Sequence, residues 1–119
     1  MGMSLIKIHV NALPELEVIH TKLSAHTGLE ITLDVFNKGK PGEWCIIGTP
    51  DGMSFFELQY VNDNTIEMAS TGLHSYLCIA ALQVLIDLGV TTADNIPIKI
   101  PKWSRQRWAD RKWWQFIKL

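Results

Sequence analysis

Histidine, cysteine and carboxylate side chains, the groups that most often carry catalysis or bind metals, occur in this sequence without a known motif. His20 and His26 are six residues apart, whereas two metal ligands on one face of a helix are about four apart. Neither an H-E-x-x-H nor a C-x-x-C pattern is present. We therefore expect neither a metal nor another cofactor.

One cysteine–histidine pair has the spacing of a nucleophile and its base on a helix. His74 precedes Cys78 by four residues, but Cys78 lies in the apolar run of residues 76–81. Burial in such a run raises the pKa of a thiol, so the thiolate that attacks a substrate does not form. Cys45, in a predicted strand, is interpreted in the same way, as a small apolar core residue.

The carboxylates offer one further pair, because Glu30 and Asp34 lie on the same side of a predicted strand. General acid–base work requires a dry pocket that raises the pKa of one partner. Nothing in the sequence indicates such a pocket. The sequence therefore favours a binding protein over an enzyme.

The elements that position these side chains follow from hydrophobic periodicity. Alternation of apolar and polar residues predicts strands at residues 4–10, 29–36, 54–61 and 65–69, and the segment 43–49 between two turn sequences is predicted as a further strand. Helical spacing predicts a first helix that begins after an Asn11 cap and ends at Gly28. A second helix is predicted from a Ser70 or Thr71 cap to Gly89, and residues 96–100 read as an extended segment.

The predicted order is β-α-β-β-β-β-α, an α+β class. Short connections between the middle strands indicate an antiparallel sheet of four to five strands, with the two helices on one face. The second helix is apolar around most of its circumference, which makes it the main core element. Over residues 4–89 this order resembles the TATA-binding-protein-like and helix-grip folds, and the resemblance implies a curved sheet that cradles the helices.

The charge of the chain divides sharply. All 119 residues sum to −1, but residues 1–101 sum to −6 and residues 102–119 to +5. Four of the five tryptophans lie in that last segment. We interpret residues 1–101 as a single α+β domain and residues 102–119 as a basic, tryptophan-rich C-terminal helix that docks on it.

Two surfaces are candidates for binding a partner. The first is the polar, net acidic face of the sheet, with Glu30, Asp34, Glu57 and Glu67 as its carboxylates, which suits a basic partner unless it is simply solvated. The second is the C-terminal segment, where the candidate residues are Trp103, Arg105, Trp108 and Arg111. That segment is also suited to nucleic acid, an anionic membrane surface, another protein or a second copy of this chain.

The α+β domain, its acidic sheet face and the basic, tryptophan-rich segment together favour a small, non-enzymatic protein-binding module, such as an immunity or antitoxin-type protein that neutralises a basic partner. Two alternatives remain open. One is a domain that binds a small apolar ligand in a pocket between sheet and helix. The other is a regulatory domain whose tail binds nucleic acid or a membrane surface. The first ten residues lack the apolar region of a secretory signal, so we expect a cytoplasmic protein.

Overall fold

The computed structural model describes residues 4–38, 42–52, 54–70 and 76–100. The strands are β1 (Ser4–His9), β2 (Thr32–Phe36), β3 (Trp44–Gly48), β4 (Phe55–Asn62) and β5 (Thr65–Ser70). The helices are α1 (Leu16–Thr27) and α2 (Tyr76–Asp87), with a short 3₁₀ helix at Ala93–Asn95. This order confirms the predicted one, while the helix predicted within 102–119 lies outside the described residues.

The five strands form one antiparallel sheet in the order β1-β5-β4-β3-β2. Strands β2 to β5 pair with their neighbours in sequence, whereas β1 pairs with β5, with Ile6 opposite Met68. The chain therefore leaves the sheet after β1, forms α1, and re-enters at the opposite edge as β2. The α+β class with an antiparallel sheet is confirmed.

One face of the sheet, here called the inner face, is buried against the helices. Strand alternation places on it apolar residues of β1, β3, β4 and β5 that are almost inaccessible to solvent, and the partly buried Leu33 and Val35 of β2. Helices α1 and α2 pack against each other, and α2 also contacts β4. All of residues 77–85 of α2 are buried, as expected for a helix that is apolar on every side. The buried inner-face residues are Ile6, Ile8, Cys45, Ile47, Phe56, Leu58, Tyr60, Ile66 and Met68.

The beginning of α1 differs from the sequence prediction. The helix starts at Leu16 with Glu15 as its N-cap residue, and Asn11 does not cap it. Instead, the Asn11 side-chain amide donates to the carbonyl of Gly89 at 3.1 Å, and its backbone N–H donates to the carbonyl of Val90 at 2.8 Å. Asn11 therefore joins the end of β1 to the segment after α2. The predicted end is correct, because Gly28 adopts a left-handed conformation there.

Residues 71–75, which precede the described part of α2, lie outside the described residues, so the cap at Ser70 stays a prediction. Ser70 itself is the last residue of β5 and is buried, with Ser4 of β1 opposite it. The alternative cap, Thr71, lies outside the described residues. The end of α2 agrees with the prediction, since Gly89 has a φ of +77° and its N–H donates to the carbonyl of Ile86.

The segment 96–100 is not a strand, but it belongs to the domain. Ile96 is buried, and Ile98 and Ile100 pack against the core while Pro97 and Lys99 between them are exposed. Thr91, just upstream, donates its hydroxyl to the carbonyl of His9. Within the described ranges, neither α-helix has the length and apolarity needed to cross a bilayer.

Candidate protein-interaction face

The opposite side of the sheet, here called the outer face, is covered by neither α1 nor α2. Two rows of side chains cross it, each contributed by all five strands through the observed register. In edge-to-edge order, the first row is Leu5, Ala69, Glu57, Ile46 and Asp34. The second row, one step along the strands, is Lys7, Glu67, Gln59, Trp44 and Phe36. The first row is apolar at the β1 edge and places Ile46 between two carboxylates, whereas the second row is charged or polar from β1 to β4 and aromatic at β3 and β2. The outer face therefore combines charged and apolar groups.

An aromatic pair marks the β2–β3 side of this face. The rings of Phe36 and Trp44 stack with centroids 4.3 Å apart and an interplanar angle of 19°. Their strands place them directly opposite each other, which brings side chains close enough for such contact. Phe36 remains 40% exposed and Trp44 is half-buried. The pair thus presents a flat apolar surface to solvent.

Two carboxylates flank a half-buried isoleucine beside this pair. Ile46 of β3 lies opposite Asp34 of β2 on one side and Glu57 of β4 on the other. Because neighbouring strands are about 4.8 Å apart, the two acidic residues are separated by roughly 10 Å across the sheet. Both are also diagonal neighbours of Trp44, at about 7–8 Å. The register therefore places an acidic residue on each side of Ile46 and Trp44 two residues away on the same strand, and the space above Ile46 between them is here called the slot.

Glu67, another predicted carboxylate, has an ion-pair partner in the second row. Glu67 lies opposite Lys7, and their charged atoms approach to 4.0 Å. The Lys7 side chain is 65% exposed, against 21% for Glu67. This pair lies near the β1 edge, away from the aromatic pair. Glu67 is therefore partly neutralised, whereas Asp34 and Glu57 form no ion pair with any other described residue.

The remaining predicted site residues are less informative. Glu30 is exposed but precedes β2, two residues before the strand begins. It belongs to neither of the two rows that contain Asp34, Glu57 and Glu67. Trp103, Arg105, Trp108 and Arg111 lie outside the described residues, and their role stays a prediction.

The thiols do not offer nucleophilic chemistry. Cys45 on β3 and Cys78 on α2 are both free and fully buried. Burial, with a smaller contribution from the charge of Glu43, raises the pKa of Cys45 to about 12. Burial alone raises the pKa of Cys78 to about 12. At neutral pH both remain thiols, and a thiol is a poor nucleophile.

The described part of the chain also lacks a cluster that could hold a metal ion. In residues 4–38, 42–52, 54–70 and 76–100, no three histidine, cysteine or carboxylate groups converge. His20 is occupied structurally, because its Nε2 atom lies 2.6 Å from the carbonyl oxygen of Ile31 and connects α1 to the start of β2. His74, the other half of the cysteine–histidine pair, lies outside the described residues.

Sequence reasoning identified the polar members of the outer face but missed its apolar members. Alternation predicts that Asp34 lies on the outer face, and Phe36, two residues later on the same strand, must lie on that face as well. Likewise Trp44 and Ile46 alternate with the buried Cys45 and Ile47. The signal was therefore present in the pattern, although the stacking depends on the β2–β3 register.

The sequence matches no family model and no curated protein closely enough to establish kinship.

Proposed function

We propose that this protein is a non-enzymatic protein-binding module whose outer face binds a basic partner protein. The observation that carries the proposal is the adjacency of the stacked Phe36–Trp44 pair to the carboxylates of Asp34 and Glu57. Exposed aromatic residues supply the apolar contact area that dominates protein interfaces. Unpaired carboxylates beside them supply complementarity to a cationic surface.

The charge of residues 1–101, which sums to −6, supports the same class of partner. Residues 1–101 carry eleven acidic and five basic side chains. Such an excess attracts a basic protein at long range and raises the rate of encounter. A small acidic protein of this kind acts as an immunity or antitoxin protein when its basic partner is toxic and binding blocks the partner's active surface.

A charge reversal on the outer face tests the proposal. We expect the tagged full-length protein to retain, from its native cells, a partner with a basic isoelectric point, and chemical cross-links to map to the outer face. Glu57→Lys should abolish this retention, because the new ammonium group repels the cationic groups that the partner presents at this position.

The matched control is Asp94→Lys, which changes the net charge equally on the exposed 3₁₀ helix rather than on the sheet. It should leave retention unchanged. Equal retention by Glu57→Lys and the unaltered protein, or the absence of any basic partner, contradicts the proposal. A neutralising role further requires that one equivalent of the protein inhibits the partner, and that Glu57→Lys does not.

A further inference from the structure

We infer that the slot over Ile46, bounded by Asp34, Glu57 and Trp44, binds an arginine side chain of the partner in preference to a lysine. The inference rests on the proposed function and specifies the chemistry of the partner. It follows from three features of the slot: its width, its two carboxylates and its aromatic side.

The width of the slot suits a planar cation. Asp34 and Glu57 originate on strands two positions apart, with Ile46 on the strand between them. The two acidic residues therefore lie on either side of Ile46, whose side chain is only half-buried, on the same face of the sheet. A guanidinium group lying over Ile46 can donate to both carboxylates at once, because its N–H groups point in fixed, divergent directions within one plane. An ammonium group is a compact charge without that fixed fork.

The aromatic side of the slot adds to this preference. Trp44 is a diagonal neighbour of both carboxylates, and its ring is held in place by stacking on Phe36. Guanidinium planes stack on tryptophan, whereas ammonium groups make a weaker and more strongly hydrated contact. A pre-positioned ring also costs little side-chain entropy when the partner binds. Both the carboxylates and the ring therefore favour arginine.

Charge complementarity supports a cationic occupant rather than an apolar one. No cationic side chain of the two outer-face rows lies next to the slot, since Lys7 is at the β1 edge and pairs with Glu67. The chain's own arginines at positions 105, 107 and 111 are an alternative source of the same group. We commit to a partner protein as the source, and the experiment below separates the two.

The test compares octa-arginine with octa-lysine, which have equal length and charge, by calorimetric titration of the full-length protein at physiological ionic strength. We expect octa-arginine to bind about tenfold more tightly. Trp44→Leu should reduce this ratio to the smaller preference that the carboxylates alone provide, while leaving octa-lysine binding nearly unchanged. Glu57→Gln should weaken both peptides, and Asp94→Asn, which removes the same charge from the 3₁₀ helix, should affect neither beyond the small loss of net charge.

Several results would overturn the inference. Equal affinity for the two peptides would rule out the preference for arginine. It would leave the proposed function intact, because that proposal is tested separately by the Glu57→Lys retention experiment. A preference that survives both Trp44→Leu and Glu57→Gln places arginine binding elsewhere. If the unaltered protein binds neither peptide, the full-length variant Arg105→Gln/Arg107→Gln/Arg111→Gln identifies the reason. Binding restored in that variant shows that the chain's own segment fills the slot, and continued absence of binding rejects the slot altogether.

Discussion

The inner and outer faces of the sheet are built from the same five strands, yet they differ in what their apolar residues do. On the inner face, Phe56, Leu58 and Ile47 are fully inaccessible to solvent and contact one another and the helices. On the outer face, Phe36 and Phe55 remain about 40% exposed. Burial on one side therefore accounts for folding, while the other side retains apolar surface that folding does not use.

The difference is informative because the exposed ring of Phe36 has further apolar side chains next to it on the outer face. Isolated apolar residues are common on protein surfaces and require no explanation. Here Phe36, Trp44 and Ile46 are neighbours in the sheet, and Asp34 and Glu57 border them. Contiguous apolar surface rimmed by polar groups is typical of an interaction site.

Adjacent phenylalanines on β4 allow the sharpest test of this comparison. Phe56 is fully buried on the inner face, and Phe55 points to the outer face. We expect Phe56→Ala to lower the free energy of unfolding by about 3–5 kcal/mol, because it removes transfer energy and leaves a cavity. Urea denaturation followed by circular dichroism measures this loss.

The matched control, Phe55→Ala, deletes the same atoms one residue earlier. We expect a loss of about 1 kcal/mol or less, since the ring is already partly in water. Similar losses for the two variants would contradict the distinction between the faces.

The two buried thiols, both on the inner side of the sheet, predict that the free energy of unfolding depends on pH. Burial raises the pKa of Cys45 and Cys78 from 9.0 to about 12. The folded state therefore holds these protons more tightly than the unfolded state. Their stabilising contribution is complete below about pH 9 and is lost as pH rises towards 12, at roughly 1 kcal/mol per thiol per pH unit.

Urea unfolding between about pH 8 and about pH 10 checks this expectation. The double variant Cys45→Ala/Cys78→Ala should show a shallower decline, and only the slope matters because the variant also leaves small cavities. A residual slope is expected from Tyr60, whose pKa burial also raises and whose hydroxyl donates to the carbonyl of Pro14. Identical slopes with and without the thiols would show that they are accessible to water.

Local pattern predicted much of this architecture. Alternation identified four strands, and the turn sequences on either side identified β3. Alternation also separated Ile6 and Ile8 from Lys7 correctly, because a side-chain period of two is a purely local property. Gly28 and Gly89 ended the helices as expected, since each takes the left-handed conformation that glycine accommodates. The fold class follows from such local signals and short connections.

Features that depend on distant contacts were not predictable in the same way. Asn11 looks like a helix cap, but its partner is the carbonyl of Gly89, 78 residues away. The stacking of Phe36 on Trp44 requires a specific β2–β3 register. Alternation alone gives the face of each residue but not its neighbour on the next strand. The carboxylates of the candidate site were therefore found, while the aromatic surface beside them was not.

The stacked Phe36–Trp44 pair should contribute a coupling energy of intermediate size. We expect a double-mutant cycle on Phe36→Ala and Trp44→Ala to give a coupling energy of about 0.5–1.5 kcal/mol, as for other aromatic pairs. Chemical denaturation of the four proteins measures it. A control cycle that pairs Phe36→Ala with Val61→Ala, an exposed residue on β4, should give no coupling because the two are not neighbours in the register. A coupling near zero for the first pair would mean that the Trp44 ring is not held in place.

The ion pair of the outer face should have the smallest effect. Lys7 and Glu67 approach only to 4.0 Å, and Lys7 is 65% exposed. Water and salt screen such a pair, and holding two long side chains together costs entropy, so we expect a coupling below about 0.5 kcal/mol. A double-mutant cycle with Lys7→Gln and Glu67→Gln, measured at low and high salt, checks this value. A coupling energy well above about 0.5 kcal/mol that does not change with salt would mean that the β1 edge of the outer face is shielded from water. The contrast between an exposed outer face and a buried inner face would then hold only for the β2–β3 side of the sheet.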